Sequence, residues 1–464
     1  MELLTYSFKF FIRQKKTSLM ILFNFTCLVF IPVAGHAGLE TPNPARHLEV
    51  TKIKGESLSF LLGKNTKDYS VMVVDTEELI PIPYQFDDKN VKGLTFVPGG
   101  KLTISGAENI MDAEDELIFM YKDMSEQASA EVINNLEGAV IAEFSIHEDD
   151  VSRFAYLVSG NSQRSKKRYT NYDFDTGLLD TETYSLQFDP DNIITWSDWK
   201  IKGFTGTDSA PNILDTMKAR VFARMGFLKT TLGNNLIPAR TLAVKNGPVR
   251  SIVEADVSIA IFGIDLLSGG VSVTFTAQTV EYPIFAVIPK AADVLSEFRM
   301  DVTLDYVDFD GSRYRTALGP KEPLITGQEV SDNIREQYKS DLDNPWVAIS
   351  TGKNWDMIFL FRHPDDFRPI LSALYRDKKA GDKVNKPERF KGSSSELGVR
   401  LENIPTGAET YLEYSLFFGP DLWQGNNPDK AAYDNEHPAE VTITPMILNT
   451  AVGVRKSAQA LEST

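Results

Sequence analysis

The chain has 464 residues, of which 42% are hydrophobic, with one cysteine and a formal net charge of −16. That length can bury a large core without covalent staples, and the acidity argues against nucleic acid and anionic membranes as partners. The one cysteine, Cys27, lies near the start, so everything after it is without disulfides, thiolate metal sites or thiol nucleophiles.

Residues 1–37 read as a leader. Lys9, Arg13, Lys15 and Lys16 form a basic start, residues 19–33 are almost wholly apolar, and Gly35 and Ala37 are small. This is the pattern of a secretory signal peptide cut after Ala37. The apolar run is shorter than the ~20 residues a membrane span needs. The mature chain is therefore expected in the periplasm or outside the cell, and not as an integral membrane protein. No small residues precede Cys27 as a lipoprotein signal would require. Loss of four bases and one acid, Glu2, takes the net charge from −16 to −19.

The mature part reads as strands. Residues 57–62 and 69–74 flank a polar stretch and predict a hairpin. Residues 80–124 carry acidic clusters at both ends, and Tyr84, Phe86, Leu117, Phe119 and Tyr121 fall at every second position of its two strand-like ends. With 139–146 and 153–158 these segments predict an N-terminal antiparallel β-sandwich over residues 38–160. A basic loop at 164–168 marks the boundary to a larger domain over residues 161–464.

In that second part, Ile213, Leu214, Met217, Val221, Phe222 and Met225 fall at helical intervals, with a strand pair as the alternative reading. Residues 236–310 form the longest β-rich block, with strict alternation. In the C-terminal part, helices are expected only at 332–341 and 364–376. The fold class is thus mostly β, an antiparallel β-sandwich followed by a larger β-supersandwich-like domain with few short helices.

At Gly247-Pro248-Val249-Arg250 a Gly-Pro turn leads into long alternating strands. This arrangement, over roughly residues 184–310, resembles the β-supersandwich of galactose-mutarotase-like proteins. The resemblance implies a fold shared by carbohydrate-active proteins, and it places no catalytic residue, since no paired histidines stand where a mutarotase would need them.

Several constellations are candidates for chemistry. Arg362, His363 and Arg368, with Asp365 and Asp366, lie within seven residues after an apolar strand. The arginines suit a carboxylated ligand and His363 suits a base. The same string also fits a helix cap, with Pro364 at the first position. Trp423, Trp199 and Arg250 are the candidate ligand-binding residues, Trp423 because its loop favours exposure. Calcium is the one cofactor the acids suggest. Asp173, Asp175, Asp180 and Glu182 surround Gly177, with Asp305, Asp308 and Asp310 and then Asp112, Glu114, Asp115 and Glu116 as further groups. The apolar run 259–267 reads as a buried strand or as a lip that meets another chain. P-loop, GxGxxG, GxSxG, HExxH and CxxCH motifs are absent, which sets aside nucleotide, nicotinamide and haem chemistry. The expected function is binding of a carbohydrate or another envelope component without catalysis. The alternatives are a polysaccharide lyase or hydrolase, and a structural protein that docks on an envelope partner.

Overall fold

The computed structural model describes residues 46–148, 151–206, 213–306, 309–328, 331–339, 345–363, 370–376, 396–402, 404–407, 409–420, 422–423 and 427–446. In chain order the first strands are β1 (Val50–Lys54), β2 (Tyr69–Asp75), β3 (Glu78–Pro81), β4 (Tyr84–Asp87), β5 (Glu116–Met120), β6 (Ala139–Glu148) and β7 (Val151–Ser159), with helix α1 (Ala130–Asn134) before β6. Next come β8 (Thr170–Asp173), β9 (Leu178–Thr181), β10 (Tyr184–Asp189), β11 (Asn192–Ile201), β12 (Leu214–Met225), β13 (Leu228–Leu232), β14 (Ala239–Asn246), β15 (Ser251–Ile261), β16 (Ile264–Phe275), β17 (Thr279–Val287) and β18 (Glu297–Tyr306). The chain ends with β19 (Arg313–Thr316), β20 (Leu324–Ile325), α2 (Asp332–Glu336), β21 (Trp346–Ser350), β22 (Asp356–Arg362), β23 (Ile370–Arg376), β24 (Glu396–Glu402), β25 (Glu409–Gly419), α3 (Pro428–Glu436) and β26 (Thr442–Pro445).

These strands pair antiparallel and bear out the mostly-β expectation. A nine-stranded sheet runs β14-β15-β16-β17-β25-β22-β21-β19-β20, and a five-stranded sheet β13-β12-β18-β24-β23 lies against its apolar face. Between them sits the largest core, to which Val253, Val273, Leu304, Met357, Leu397 and Phe418 contribute. A four-stranded sheet, β11-β10-β9-β8, closes one end with Trp196 and Trp199. The N-terminal segment forms a three-stranded sheet, β1-β5-β4, and a five-stranded one, β26-β6-β7-β2-β3. The last described strand, β26, thus pairs with β6, so residues 442–445 are stitched into an N-terminal sheet.

Strand β5 is buried at every residue. Leu117 and Phe119 face the N-terminal core. Ile118 and Met120 face the other way and pack with Leu48, Val50, Tyr169, Val249 and Ala277. Alternation therefore disappears in this strand because it has a core on each side, which is the usual behaviour of a doubly covered strand.

Three expectations are corrected, and the buried reading of residues 259–267 is borne out. Residues 57–62 do not form a hairpin strand; Gly55–Ser57 and Ser59–Leu61 are short 3-10 turns that bury Leu58 and Leu61 three residues apart. Gly55 sits so close to the Asp112 carbonyl oxygen that a Cβ would lie 1.8 Å from it. The stretch read as an amphipathic helix is β12, paired to β18 and β13, so the strand alternative holds. Residues 370–376 are strand β23, not helix, and residues 364–369 lie outside the described residues. The 259–267 run is the β15–β16 hairpin. Its Phe262–Gly263 turn has φ of 53° and 78°, as a tight primed turn requires, and Ile259, Ile261 and Leu266 are buried in the core. It is not a lip presented to another chain. Among the described residues no helix is long and apolar enough to cross a membrane.

Candidate functional site

The face of the nine-stranded sheet turned away from its largest core is apolar where Trp346, Ile358, Leu360 and Phe417 pack with Ala431 and Ala432 of α3, and it carries charge elsewhere, with the N-terminal segment over part of it. Two arrangements of charge occupy that face. One is closed and the other is open.

The closed one centres on Arg250. Gly247 lets the turn before β15 approach β4; a Cβ there would fall 1.6 Å from the Gln85 side-chain oxygen. Arg250 is then buried, with its guanidinium 2.6 Å from Asp87 and 2.9 Å from Glu116. Lys245 reaches Asp87 at 2.7 Å and Lys89 reaches Glu116 at 3.1 Å. Gln85 donates to Asp87 and accepts from the Arg250 amide. Burial pushes both carboxyls up, but Arg250 and the lysines outweigh it. Asp87 is held well below the carboxylate range and Glu116 falls to about 2. Arg250 was expected to meet a ligand; the structure gives it two protein carboxylates and almost no exposure, so it clamps the N-terminal sheet to the large one. Nearby, wholly buried Glu254 accepts from the amides of Lys101 and Leu102.

The open arrangement is a cleft of about 260 Å³ between β1, the middle of the nine-stranded sheet and the end of α3. Its floor is built by strand alternation. Thr279 and Glu281 come from β17, Phe417 from β25 and Arg362 from β22, while Gln278 directly precedes β17. Lys52 of β1 hangs over this floor with its ammonium 3.6 Å from Glu281. Asn435 and Glu436 close the far side. That wall is pinned by buried Arg46, which pairs with Glu49 at 2.6 Å and donates to the His437 carbonyl at 2.8 Å.

Glu413 adjoins this floor on β25, opposite Arg362 in the strand register. Arg362 pairs with it, Tyr411 donates to it at 2.5 Å and Ser415 at 3.2 Å. Burial raises the Glu413 carboxyl, and Arg362 together with Tyr411 overcomes that and leaves it below its ordinary value. A carboxyl held ionised in this way can accept hydrogen bonds but is poorly suited to donate a proton as a general acid. Glu49, which also lines the cleft, goes the other way, because burial outweighs the pull of Arg46.

The other candidates fall as follows. Arg362 lines the cleft, His363 next to it is half-buried, and Arg368 lies outside the described residues. Trp199 is fully buried, edge-on to Trp196 and Trp355. Trp423, expected exposed because it sits on a loop, is 1% exposed; its amide donates to Asp356 and Arg313 lies over its ring. Neither ring offers a face to a ligand. Asp173 accepts from the amides of Asp175 and Thr176 in its own turn, Asp180 pairs with Lys202 at 3.0 Å, and Glu182 pairs with Lys122. Asp305 is buried against Lys218 at 2.6 Å, and Asp308 is outside the described residues. Asp112 and Asp115 accept backbone amides of the 112–115 turn, and Asp115 also accepts from Lys89. Among the described residues no three acid or histidine side chains gather as a metal ion would require. Glu281 and Glu413 were missed from sequence. The signal was the polar alternation Tyr411-x-Glu413-x-Ser415 inside an otherwise apolar strand.

No protein-family model matches the sequence, and no curated protein matches it. Among solved structures, the fold is similar to an alpha-mannosidase from Enterococcus faecalis V583, with a TM-score of 0.45 and 12% identity over 86% of this chain and 44% of that one. A galactose mutarotase-like protein from Clostridium acetobutylicum follows with a TM-score of 0.33 and 8% identity, over 55% of this chain and 100% of that one. A galactose mutarotase related enzyme from Lactobacillus acidophilus gives 0.32 and 6%, over 52% and 96%. The chain spans less than half the length of the mannosidase.

Proposed function

We propose that this is an exported binding protein whose cleft takes a carbohydrate, or another polyhydroxylated component of the cell envelope, without turning it over. The observation that supports this reading is the composition of the cleft. Arg362, Lys52 and Glu281 surround the side chains of Gln278, Thr279 and Asn435, with Phe417 and Val50 as apolar patches. Paired donors and acceptors beside a small apolar surface suit a ring of hydroxyl groups.

The test is a glycan array on the mature chain, run beside assays for uronate-lyase absorbance and for new reducing ends. Binding without turnover is expected, and Glu281→Gln should weaken it about tenfold or more. A blank array sinks the carbohydrate reading, and turnover moves it to the enzyme class. Export has its own check: N-terminal sequencing of the chain recovered from a periplasmic fraction, where a start at Gly38 is expected and an intact Met1 contradicts it.

A further inference from the structure

On its other face the nine-stranded sheet meets the five-stranded one imperfectly. An apolar cavity of about 170 Å³ lies between them. Protein cores rarely leave voids much larger than a water molecule, because unfilled space forfeits dispersion contacts. Small residues border it. Ala219 of β12 and Ala255 of β15 line the cavity. On β16, Leu267 and Val271 line it, and the residue between them on that face is Gly269, paired across to the lining residue Val257. A Cβ added at Gly269 would meet nothing within 4 Å. Glycine inside a strand weakens the strand, and often marks a place where something else approaches the backbone. A valine here would both strengthen β16 and fill the space.

The walls admit one chemistry. Tyr282 and Tyr414, stacked at 4.6 Å, make a flat side. Two charged residues are among the lining, and both are engaged by protein partners: Arg220 donates to Thr303 at 2.9 Å and Asp301 takes both arms of Arg400 at 2.8 Å. Phe298, Met300 and Ile404 stay half-buried along the rim. A ligand with polar groups inside would lose its water without recovering hydrogen bonds. We propose that this cavity takes a hydrocarbon chain, the acyl tail of a fatty acid or of a phospholipid. Apolar cavities of ~150 Å³ stay dry and hold a benzene-sized molecule, so roughly six carbons sit inside and the rest of the chain passes the rim. This site lies on the opposite face of the sheet from the cleft and is independent of what the cleft binds.

The test has two arms on the full mature chain. In one, dodecanoate is titrated by calorimetry; in the other, the protein is incubated with phosphatidylglycerol vesicles, separated, and assayed for lipid phosphorus. Binding in either arm is expected, and lipid uptake as against dodecanoate alone distinguishes the two sources of the chain. Gly269→Leu fills the void, so it should keep or raise the melting temperature and weaken binding at least about tenfold. Ala255→Val is the smaller change if the leucine prevents folding. A diazirine-bearing dodecanoate on the unaltered protein should label β12, β15 or β16. Absence of binding in both arms, unchanged affinity in the filled variants, or labelling confined to other strands overturns the proposal.

Discussion

The two faces of the nine-stranded sheet are built from the same strands and solve opposite problems. The face toward the N-terminal segment carries Arg250, Glu254, Glu281, Arg362 and Glu413, and much of its charge is held by protein partners. The face toward the five-stranded sheet carries valine, isoleucine and aromatic rings, and there the packing leaves space. On the polar face the energetic risk is an unpaired charge. On the apolar face it is an empty volume. Each face is therefore most sensitive to a different kind of substitution.

The largest effect is expected at the closed charge cluster. Arg250→Ala strands Asp87 and Glu116 in a buried site, and removing one partner of a buried pair costs about 3–5 kcal/mol. Urea unfolding measures this, and a loss under about 1 kcal/mol would show that the cluster is not what clamps the N-terminal sheet.

Acid should act through the same residues. Asp87 and Glu116 have folded pKa values below their unfolded values of 3.8 and 4.5, Glu116 at about 2. Their stabilisation is therefore complete above the ordinary carboxylate range and is lost as pH falls through it toward 2. Asp115 has the opposite sign. Burial raises it from 3.8 to about 6, so its protonation favours the fold as pH falls from about 6 to 4. The urea midpoint should hold or rise slightly from pH 7 to 5 and drop steeply below 4. Asp115→Asn should reduce the shallow rise, to which the raised carboxyls of Glu49 and Asp88 also contribute, and leave the steep fall. A midpoint that declines steadily from pH 7 contradicts this account.

Smaller effects are expected where groups meet solvent. Arg362 is 37% exposed and its partner Glu413 19%, so Arg362→Ala should cost about 1 kcal/mol or less. It should reduce glycan binding far more than stability. Equal loss of both would make Arg362 a structural residue. The least effect on stability belongs to Gly269→Leu, which should be neutral or slightly stabilising, whereas a comparable enlargement in a filled core destabilises.

Much of this architecture was legible because period-2 alternation is a local signal. Strands β15 and β18 read directly from their sequences, and Arg362 was singled out by its position after an apolar strand. What was not legible depended on distance along the chain. Arg250 meets Asp87 and Glu116 across 163 and 134 residues, so nothing local marked these two acids of residues 80–124 as buried partners. Trp423 misled for a similar reason: a loop residue can be buried when a remote carboxylate, here Asp356, satisfies its amide. Leu58 and Leu61 misled through spacing, since two apolar residues three apart serve a 3-10 turn as readily as a short run suggests a strand.

The most direct measurement is calorimetric titration of the tightest glycan from the array against the unaltered protein, Glu281→Gln and Gly269→Leu. The polar face should carry this ligand alone, so affinity should fall about tenfold or more in Glu281→Gln and stay unchanged in Gly269→Leu. Affinity that survives Glu281→Gln, or that is lost in Gly269→Leu, would contradict the division of the sheet into a binding cleft and a separate apolar cavity.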